Sequence, residues 1–392
     1  MEITKDIIYI GVNDHDIDLF EGQYAVPAGM AYNSYVIKDE KIAVMDTVDA
    51  HFGEQWLANL RDALDGRAPD YLVVQHMEPD HSSSITALRR LYPDLEIVGN
   101  AKTLQMIEGY YGIACGTVEV KEGDVLDLGG LTLAFCMIPM VHWPETMATW
   151  CAEERTIFSG DAFGTFGALN GGVTDEQLDV EPFWEEMRRY YACIVGKYGQ
   201  PVQRALAKVA PLDIAMICST HGPVWRREIA RVVELYDKVS RYEGEPGAVI
   251  AYGSMYGNTE QMAETVARGL AAAGVRPIVV YNLSTADVSQ VLRDIFRYDT
   301  LVVGSPTYNG QLYPPVDALL RKIAERCIPH RRFACFGSFT WAGAAVRRMT
   351  EFAEGMKWPV VGAPVELKQG YSTAVEPACR TLVDALVEDM KR

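Results

Sequence analysis

The sequence predicts two domains in series, an α+β domain built as an αββα sandwich and an α/β domain with a doubly wound parallel sheet. The chain has 392 residues, which is more than one hydrophobic core usually holds. A polar stretch rich in glycine and proline, residues 242–247, interrupts the pattern, and the charge changes there. Residues 1–246 carry 20 basic and 39 acidic side chains, whereas residues 247–392 carry 16 and 14. We therefore place the boundary between residues 246 and 247.

The composition excludes several classes of protein. Hydrophobic residues make up 49% and charged residues 23%, which is typical of a globular chain. The net charge of -17 argues against nucleic acid or an anionic membrane surface as a partner. We find neither an apolar run of the roughly 18 residues that a membrane span needs nor the pattern of a signal peptide. A cytoplasmic protein is therefore expected. The cysteines form no Cys-x-x-Cys pair, which argues against disulfide, zinc-ribbon and rubredoxin-type frameworks.

In the first domain, short apolar runs lie between amphipathic stretches, and some neighbouring runs are close enough to pair as antiparallel strands. This mixture favours the αββα sandwich, although propensity alone does not single it out. Strands are predicted at residues 7–12, 35–38, 41–46, 71–75, 97–99, 131–138 and 156–159, and helices at 53–65, 83–92, 101–110, 180–198 and 202–209.

In the second domain, apolar runs and amphipathic stretches follow one another regularly. Five such β-α units in succession predict a parallel sheet with helices on both faces. The strands are expected at residues 248–252, 277–281, 300–304, 333–337 and 360–365, and the helices at 259–273, 286–298, 315–326, 342–355 and 376–390.

The densest group of ionisable side chains follows the apolar run 71–74, where the chain reads Gln-His-Met-Glu-Pro-Asp-His from residue 75. Charged groups at the end of a buried strand are unfavourable unless a cation neutralises them. In an extended segment His76, Glu78 and Asp80 point the same way, whereas His81 points elsewhere, toward a second metal. A solvated charge cluster is the alternative, and it fits this position poorly.

Three further segments place a potential ligand directly after an apolar run: His142, Asp161 and His221. Each of them alone is more often a core histidine or a turn aspartate. Together with the first motif, however, they put four of the seven histidines and three carboxylates at successive strand-to-loop junctions. Packing alone does not explain that pattern. The remaining histidines lack such contexts and are interpreted as surface or structural: His15, His51 and His330.

Polar loops follow three predicted strands of the second domain. After the first strand, hydroxyl groups, an amide and glycines precede a helix, and their backbone N–H groups suit a phosphate monoester. An ordinary helix cap is the alternative for this loop alone. The loops after the third and fourth strands emerge at the same edge, at the topological switch point. The candidate binding residues are Ser254, Met255, Tyr256, Gly257, Asn258, Thr259, Pro306, Thr307, Tyr308, Asn309, Gly310, Ser338, Phe339, Thr340, Trp341 and Gly343.

The metal motif resembles that of the metallo-β-lactamase superfamily, whose zinc hydrolases usually carry His-x-His-x-Asp-His. Here Glu78 replaces the second histidine, and a carboxylate in place of an imidazole favours iron over zinc. With the three later segments, the pattern resembles the flavodiiron proteins. This resemblance implies one iron held by His76, Glu78 and His142, a second held by Asp80, His81 and His221, and Asp161 as the bridge between them.

The second domain resembles a flavodoxin over its whole length, since its first loop is similar to the flavodoxin phosphate loop. The resemblance implies FMN as the cofactor, with Tyr308 or Trp341 stacking on the isoalloxazine ring.

Together the resemblances imply an oxidoreductase that reduces O2 to water, NO to N2O, or both, because FMN and two irons store the electrons that these reactions need. Electrons are expected from an external donor such as rubredoxin or reduced F420. In the family, a head-to-tail dimer brings the flavin of one chain beside the irons of the other. A homodimer or homotetramer is therefore expected.

Two other functions compete with this interpretation. One is a zinc hydrolase of the metallo-β-lactamase superfamily fused to a flavin-binding module, against which Glu78 counts. The other is an electron carrier with a vestigial metal site, against which the complete ligand set counts. Metal analysis and the oxidation of reduced protein by O2 and NO distinguish the three.

Overall fold

A computed structural model describes residues 1–391 and divides the chain into two compact units, Met1–Ser240 and a second unit that begins at Arg241. The first strand of the second unit starts at Glu245. Within residues 1–391, the helices are all too short or too polar to cross a bilayer.

The first sheet of the first unit is mixed. The strands of this half of the unit are β1 (Ile7–Tyr9), β2 (Val12–Asp14), β3 (Leu19–Phe20), β4 (Tyr24–Ala25), β5 (Met30–Tyr32), β6 (Tyr35–Lys38), β7 (Ile42–Met45), β8 (Tyr71–Val73), β9 (Glu96–Gly99) and β10 (Thr117–Glu119). Six of them form a sheet in the order β1-β6-β7-β8-β9-β10, in which β7 to β10 run parallel. The short strands pair separately, β2 with β5 and β3 with β4.

The second sheet of the first unit follows chain order. It consists of β11 (Val125–Asp127), β12 (Thr132–Met137), β13 (Met147–Cys151), β14 (Thr156–Gly160) and β15 (Met216–Ser219), with only β14 and β15 parallel among these neighbours. The two sheets face each other through Tyr35, whose ring centroid lies 5.5 Å from that of Phe158. The Tyr35 hydroxyl also donates a hydrogen bond to the carbonyl oxygen of Ser219 at 2.7 Å.

Helices complete the sandwich, which confirms the predicted αββα fold of this unit. Asn100 caps one of them by accepting hydrogen bonds from the N–H groups of Lys102 and Thr103, and Gly112 ends it with a φ of 67°. The helices are α1 (Gly53–Leu64), α2 (Pro79–Ser82), α3 (Ile85–Leu91), α4 (Ala101–Tyr111), α5 (Glu181–Tyr190), α6 (Gly199–Val209) and α7 (Ile229–Ser240).

Several predicted elements of the first unit differ from the structure. The predicted strand 7–12 is interrupted at Gly11, where a Cβ atom would lie 2.5 Å from the carbonyl oxygen of Tyr32. The predicted helix 180–198 is α5 followed by a π-helical turn, Tyr191–Val195, whose residues are all buried, so tertiary packing overrides regular α geometry. Strands β3, β4, β5, β10, β11 and β13 are not predicted, whereas β15 coincides with the apolar run that precedes His221.

The second unit is the predicted doubly wound sheet. Its strands are β16 (Glu245–Tyr252), β17 (Ile278–Asn282), β18 (Tyr298–Tyr308), β19 (Gln311–Leu312), β20 (Arg332–Phe339) and β21 (Val365–Lys368), and its helices are α8 (Asn258–Ala272), α9 (Val288–Arg297), α10 (Pro314–Glu325), α11 (Ala345–Met356) and α12 (Glu376–Met390). Five strands are parallel in the order β17-β16-β18-β20-β21, which is the flavodoxin order.

The predicted position of the last strand, 360–365, is wrong. The strand runs from Val365 to Lys368, and Val360 makes only an isolated bridge to Phe333. Proline at residues 359 and 364 removes two N–H donors, and Gly362 adopts a φ of 73°, so this segment does not form a ladder.

Candidate functional site

The seven predicted metal ligands converge at one end of the two sheets of the first unit. The segments that carry them follow strands β8, β12, β14 and β15. Because these strands end at the same edge of the sandwich, the side chains come together there. His76 and Glu78 follow β8, Asp80 and His81 lie in α2, His142 lies between β12 and β13, Asp161 follows β14, and His221 follows β15.

One group of these side chains surrounds Glu78 and His142. The His142 Nε2 atom lies 2.9 Å from Glu78 Oε2 and 3.1 Å from Asp161 Oδ2. His76 Nε2 lies 3.3 Å from His142 Nε2 and 3.7 Å from Asp161 Oδ2. Two imidazoles therefore face one carboxylate oxygen of Asp161.

A second group surrounds Asp80 and faces the other oxygen of Asp161. His81 Nε2 lies 3.1 Å from Asp161 Oδ1 and 3.6 Å from Asp80 Oδ1. His221 Nε2 lies 3.2 Å from Asp80 Oδ2 and 3.5 Å from Asp161 Oδ1. Asp161 thus divides its two oxygens between two histidine pairs, which is the geometry of a carboxylate shared by two cations.

The unused hydrogen-bonding capacity of these residues fits metal ions. Both carboxylate oxygens of Asp80, both ring nitrogens of His81 and Nε2 of His221 are buried without a well-aligned hydrogen bond to any described residue. Buried polar atoms are seldom left in this state unless they bind an ion or water. A set of imidazoles and carboxylates without thiolates suits iron.

Without ions the charges of the cluster compensate one another. Burial alone would lower the pKa values of His81 and His142, but neighbouring carboxylates raise each to about 9. Burial alone would raise the pKa values of Glu78 and Asp161, but the nearby imidazoles hold both below their usual range. Metal ions entering this site therefore displace protons from the imidazoles.

Three contacts that the sequence did not predict orient the ligands. Glu145 Oε1 lies 2.7 Å from His76 Nδ1, and Thr220 Oγ1 donates to Asp161 Oδ1 at 2.5 Å. The carbonyl oxygen of Ala31 accepts from His221 Nδ1 at 2.8 Å. The signal for Glu145 is its position three residues after His142, on the same loop.

In the second unit, a cavity of ≈ 320 Å³ lies at the carboxyl ends of β16, β18 and β20. Ten predicted residues line it, and Gln369 and Gly370, which follow β21, line it without having been predicted. The predicted lining residues are Ser254, Met255, Tyr256, Asn258, Thr259, Pro306, Thr307, Ser338, Phe339 and Thr340. Six predicted residues lie outside its wall: Gly257, Tyr308, Asn309, Gly310, Trp341 and Gly343.

Side-chain hydrogen bonds hold the loops of this cavity together. Ser254 Oγ accepts from the N–H of Gly257 at 3.1 Å, and Thr259 Oγ1 lies 2.9 Å from Ser338 Oγ. Asn258 Oδ1 accepts from the N–H of Tyr371 at 2.8 Å. The loop at the start of α8 is therefore tied to the loops that follow β20 and β21, and its backbone N–H groups suit a phosphate.

Comparison with known proteins finds a family match for each of the two units. Residues 30–222 match the ODP family beta lactamase, and residues 250–381 match Flavodoxin. The anaerobic nitric oxide reductase flavorubredoxin of Escherichia coli is 32% identical over 354 residues, covering 89% of this chain and 74% of the relative. The chain belongs to the flavodiiron protein family.

Solved structures of flavodiiron proteins share the fold of the whole chain. The rubredoxin oxygen:oxidoreductase of Desulfovibrio gigas is 28% identical, with a TM-score of 0.96 over 100% of this chain and 98% of that one. The flavodiiron protein of Giardia intestinalis is 26% identical, with a TM-score of 0.94 over 100% of this chain and 96% of that one.

Proposed function

We propose that this flavodiiron protein reduces O2, NO or both at a non-haem di-iron site, with electrons supplied through FMN. The observation that carries the proposal is the division of the Asp161 carboxylate between two histidine pairs. The relatives are named as a nitric oxide reductase and an oxygen oxidoreductase, which supports redox chemistry over the zinc hydrolase alternative. Glu78, in contact with His142, supports iron over zinc.

The proposed ligand assignment follows the two groups of side chains. His76, Glu78 and His142 hold one iron, Asp80, His81 and His221 hold the other, and Asp161 is shared. When bound, the two irons and the flavin supply the electrons for reduction of the diatomic substrate.

The chain itself provides a closed, oriented pocket. Asp161, His76, His81 and His221 are at most 1% exposed, so water has little access on their side. Three of the proposed ligands retain some exposure: Glu78 and His142 are 9% and 6% exposed, and Asp80 is half-buried. Hydrogen bonds from Thr220 to Asp161 and between Glu145 and His76 keep the ligands in place during turnover.

FMN is proposed to lie in the cavity of the second unit, with its phosphate at the start of α8. Tyr256 lines the cavity, and Trp341 directly follows the lining residue Thr340; both are 88% exposed and are available to cover a flavin ring. The other predicted residues outside the wall remain candidates for contact with the bound flavin.

Replacing Gly257 with alanine is expected to weaken FMN binding. Gly257 has a φ of 86°, and an L-residue in this region costs about 1–2 kcal/mol. Without FMN, the loop that carries alanine relaxes to a conformation with negative φ. FMN binding must then restore the positive φ, and this cost lowers the affinity. The matched control is Gly274→Ala, since Gly274 has a φ of 88° in open space away from the cavity. FMN titration by fluorescence should show weakening only for Gly257→Ala; equal affinities would contradict the assignment.

The electron donor is proposed to be a separate rubredoxin-type protein, because relatives are named flavorubredoxin and rubredoxin oxygen:oxidoreductase. Reduced F420 is the alternative. Mixing the oxidised protein with each reduced donor under anaerobic conditions, and following flavin reduction, distinguishes the two. We place the protein in the cytoplasm, where these donors occur.

A head-to-tail homodimer, or a dimer of such dimers, is the expected assembly. The proposal rests on the charge difference between the first 246 residues and the remainder, which complement each other in a head-to-tail arrangement. Light scattering after size exclusion should give twice or four times the chain mass. A fully active sample that contains only monomer would contradict this assembly.

The central test uses protein loaded with iron and FMN, fully reduced without oxygen and mixed with O2 or NO in a stopped-flow instrument. Reoxidation of flavin and iron with formation of water or N2O is the expected result. Zinc in place of iron would favour the hydrolase, and reduced protein inert to both gases would favour the electron carrier.

A further inference from the structure

A second cavity lies in the first unit, between the second sheet and helices α6 and α7. It measures ≈ 20 Å³, and its wall, formed by described residues, exposes no polar surface. Ser159 lies in the wall, and its hydroxyl donates a hydrogen bond to the carbonyl oxygen of Ala162 at 2.7 Å. We call this space the apolar cavity.

The apolar cavity is large enough for a single small molecule, but its environment is unfavourable for water. A cavity of roughly 10–15 Å³ holds one water, provided that the water finds two to four polar partners. The wall of the apolar cavity exposes no polar surface, because Ser159 is already hydrogen-bonded and the hydroxyl of Tyr236, the other hydroxyl-bearing residue of the wall, is buried. A neutral diatomic gas needs no hydrogen bonds, and it gains from leaving bulk water.

The inner wall of the apolar cavity adjoins the metal site. Val141 directly precedes His142, and Ala162 directly follows Asp161. Consecutive Cα atoms are about 3.8 Å apart, so a single layer of residues separates the cavity from two metal ligands. Val141 is 1% and Ala162 6% exposed, so both belong to the interior of the protein.

The outer wall of the apolar cavity lies close to the surface. Ala205 and Leu206, on helix α6, are only half-buried, in contrast to Val141. Of these two residues, Leu206 has a side chain that can change rotamer, and such a change opens the outer wall to a small molecule. The cavity therefore extends from a thin outer wall at α6 to the ligand-bearing loops.

We propose that the apolar cavity binds the apolar diatomic substrate, O2 or NO, on its way to the metal site. The proposal rests on the proposed reductase function. It gives the gas a route through the protein that is separate from the polar side of the pocket at Glu78 and His142. Ions and water, which need polar partners, are excluded from this route.

Xenon tests binding independently of catalysis. A crystal of the full chain loaded with iron and FMN, pressurised with xenon, should show one xenon atom in the apolar cavity. Ala205→Leu fills the cavity from α6 without lowering helix propensity much and should remove this atom. The matched control is Ala207→Leu, because Ala207 lies on the same helix, is exposed and does not line the cavity.

The rate of reoxidation tests whether the apolar cavity delivers O2 or NO to the metal site. The second-order rate constant for reoxidation by O2 or NO should fall several-fold in Ala205→Leu and stay at the native value in Ala207→Leu, with equal iron and FMN contents. If Ala205→Leu does not fold, Leu206→Ala provides the opposite change, since it thins the outer wall and should increase xenon occupancy.

Three outcomes are decisive. A native crystal without xenon in the apolar cavity overturns the proposal. Xenon that is displaced by Ala205→Leu while the rate constants stay native overturns the delivery role. Native protein that binds xenon in the cavity but reduces neither gas disproves the reductase function and leaves the gas site supported.

Discussion

Replacing Asp161 with asparagine is expected to empty both metal positions and to lower activity at least about 100-fold. A 100-fold loss is the upper range for replacing a residue that hydrogen-bonds to a metal ligand, and Asp161 is itself a proposed ligand. The amide keeps the size of the carboxylate, but its nitrogen cannot act as a ligand. One of the two histidine pairs therefore loses its oxygen, and the whole site loses a negative charge. Iron analysis of the purified variant measures the effect.

The control for Asp161→Asn is Thr220→Val, which removes the hydroxyl that donates to Asp161 Oδ1 but leaves the carboxylate. It should lose less iron than Asp161→Asn. FMN content, which depends on the second unit, should be native in both variants. Full iron occupancy and native rates in Asp161→Asn would refute the shared-carboxylate assignment.

The parallel sheet of the second unit was predictable because its three central strands, β16, β18 and β20, are buried on both faces and appear as continuous apolar runs. Residues 248–252, for example, form the C-terminal part of β16, and residues 300–304 lie in the middle of β18. The last strand was misplaced because Val360 and Val361 are apolar for packing reasons, while the prolines around them prevent pairing. Hydrophobicity alone does not separate these two causes.

The convergence of the seven candidate metal ligands was predictable because each segment that carries them follows an apolar run, so the local sequence carries the signal. The contacts that orient them carry a weaker signal, because the partner in each contact is not given by the local sequence. Glu145 and His76 are 69 residues apart, and only the packing of one sheet against the other brings them together. The same holds for Gln369 and Gly370, whose place in the cavity depends on where β21 ends.

Replacing Glu145 with glutamine is expected to weaken iron binding by about 10–100-fold while leaving the fold intact. Burial alone would raise the pKa of Glu145, but its contact with His76 lowers it, so the group is a carboxylate at neutral pH. Its Oε1 atom accepts from His76 Nδ1 at 2.7 Å and from the N–H of Met77 at 2.9 Å. The proton is thereby kept on Nδ1, and the lone pair of Nε2 faces the metal. Glutamine retains an acceptor oxygen but removes the charge that strengthens His76 as a donor.

Comparison with Glu145→Ala separates the electronic effect from the structural one. Alanine leaves His76 Nδ1 and the N–H of Met77 buried without their acceptor, so the iron-free variant should be about 1–3 kcal/mol less stable. Glu145→Gln should unfold near the native midpoint and still lose iron to a competing chelator. Glu153→Gln, which changes an exposed carboxylate bonded to Thr132, is the control for charge removal. If Glu145→Gln held iron as tightly as Glu153→Gln, the negative charge of Glu145 would not contribute to iron binding, and its role would be limited to the hydrogen bonds that the amide oxygen retains.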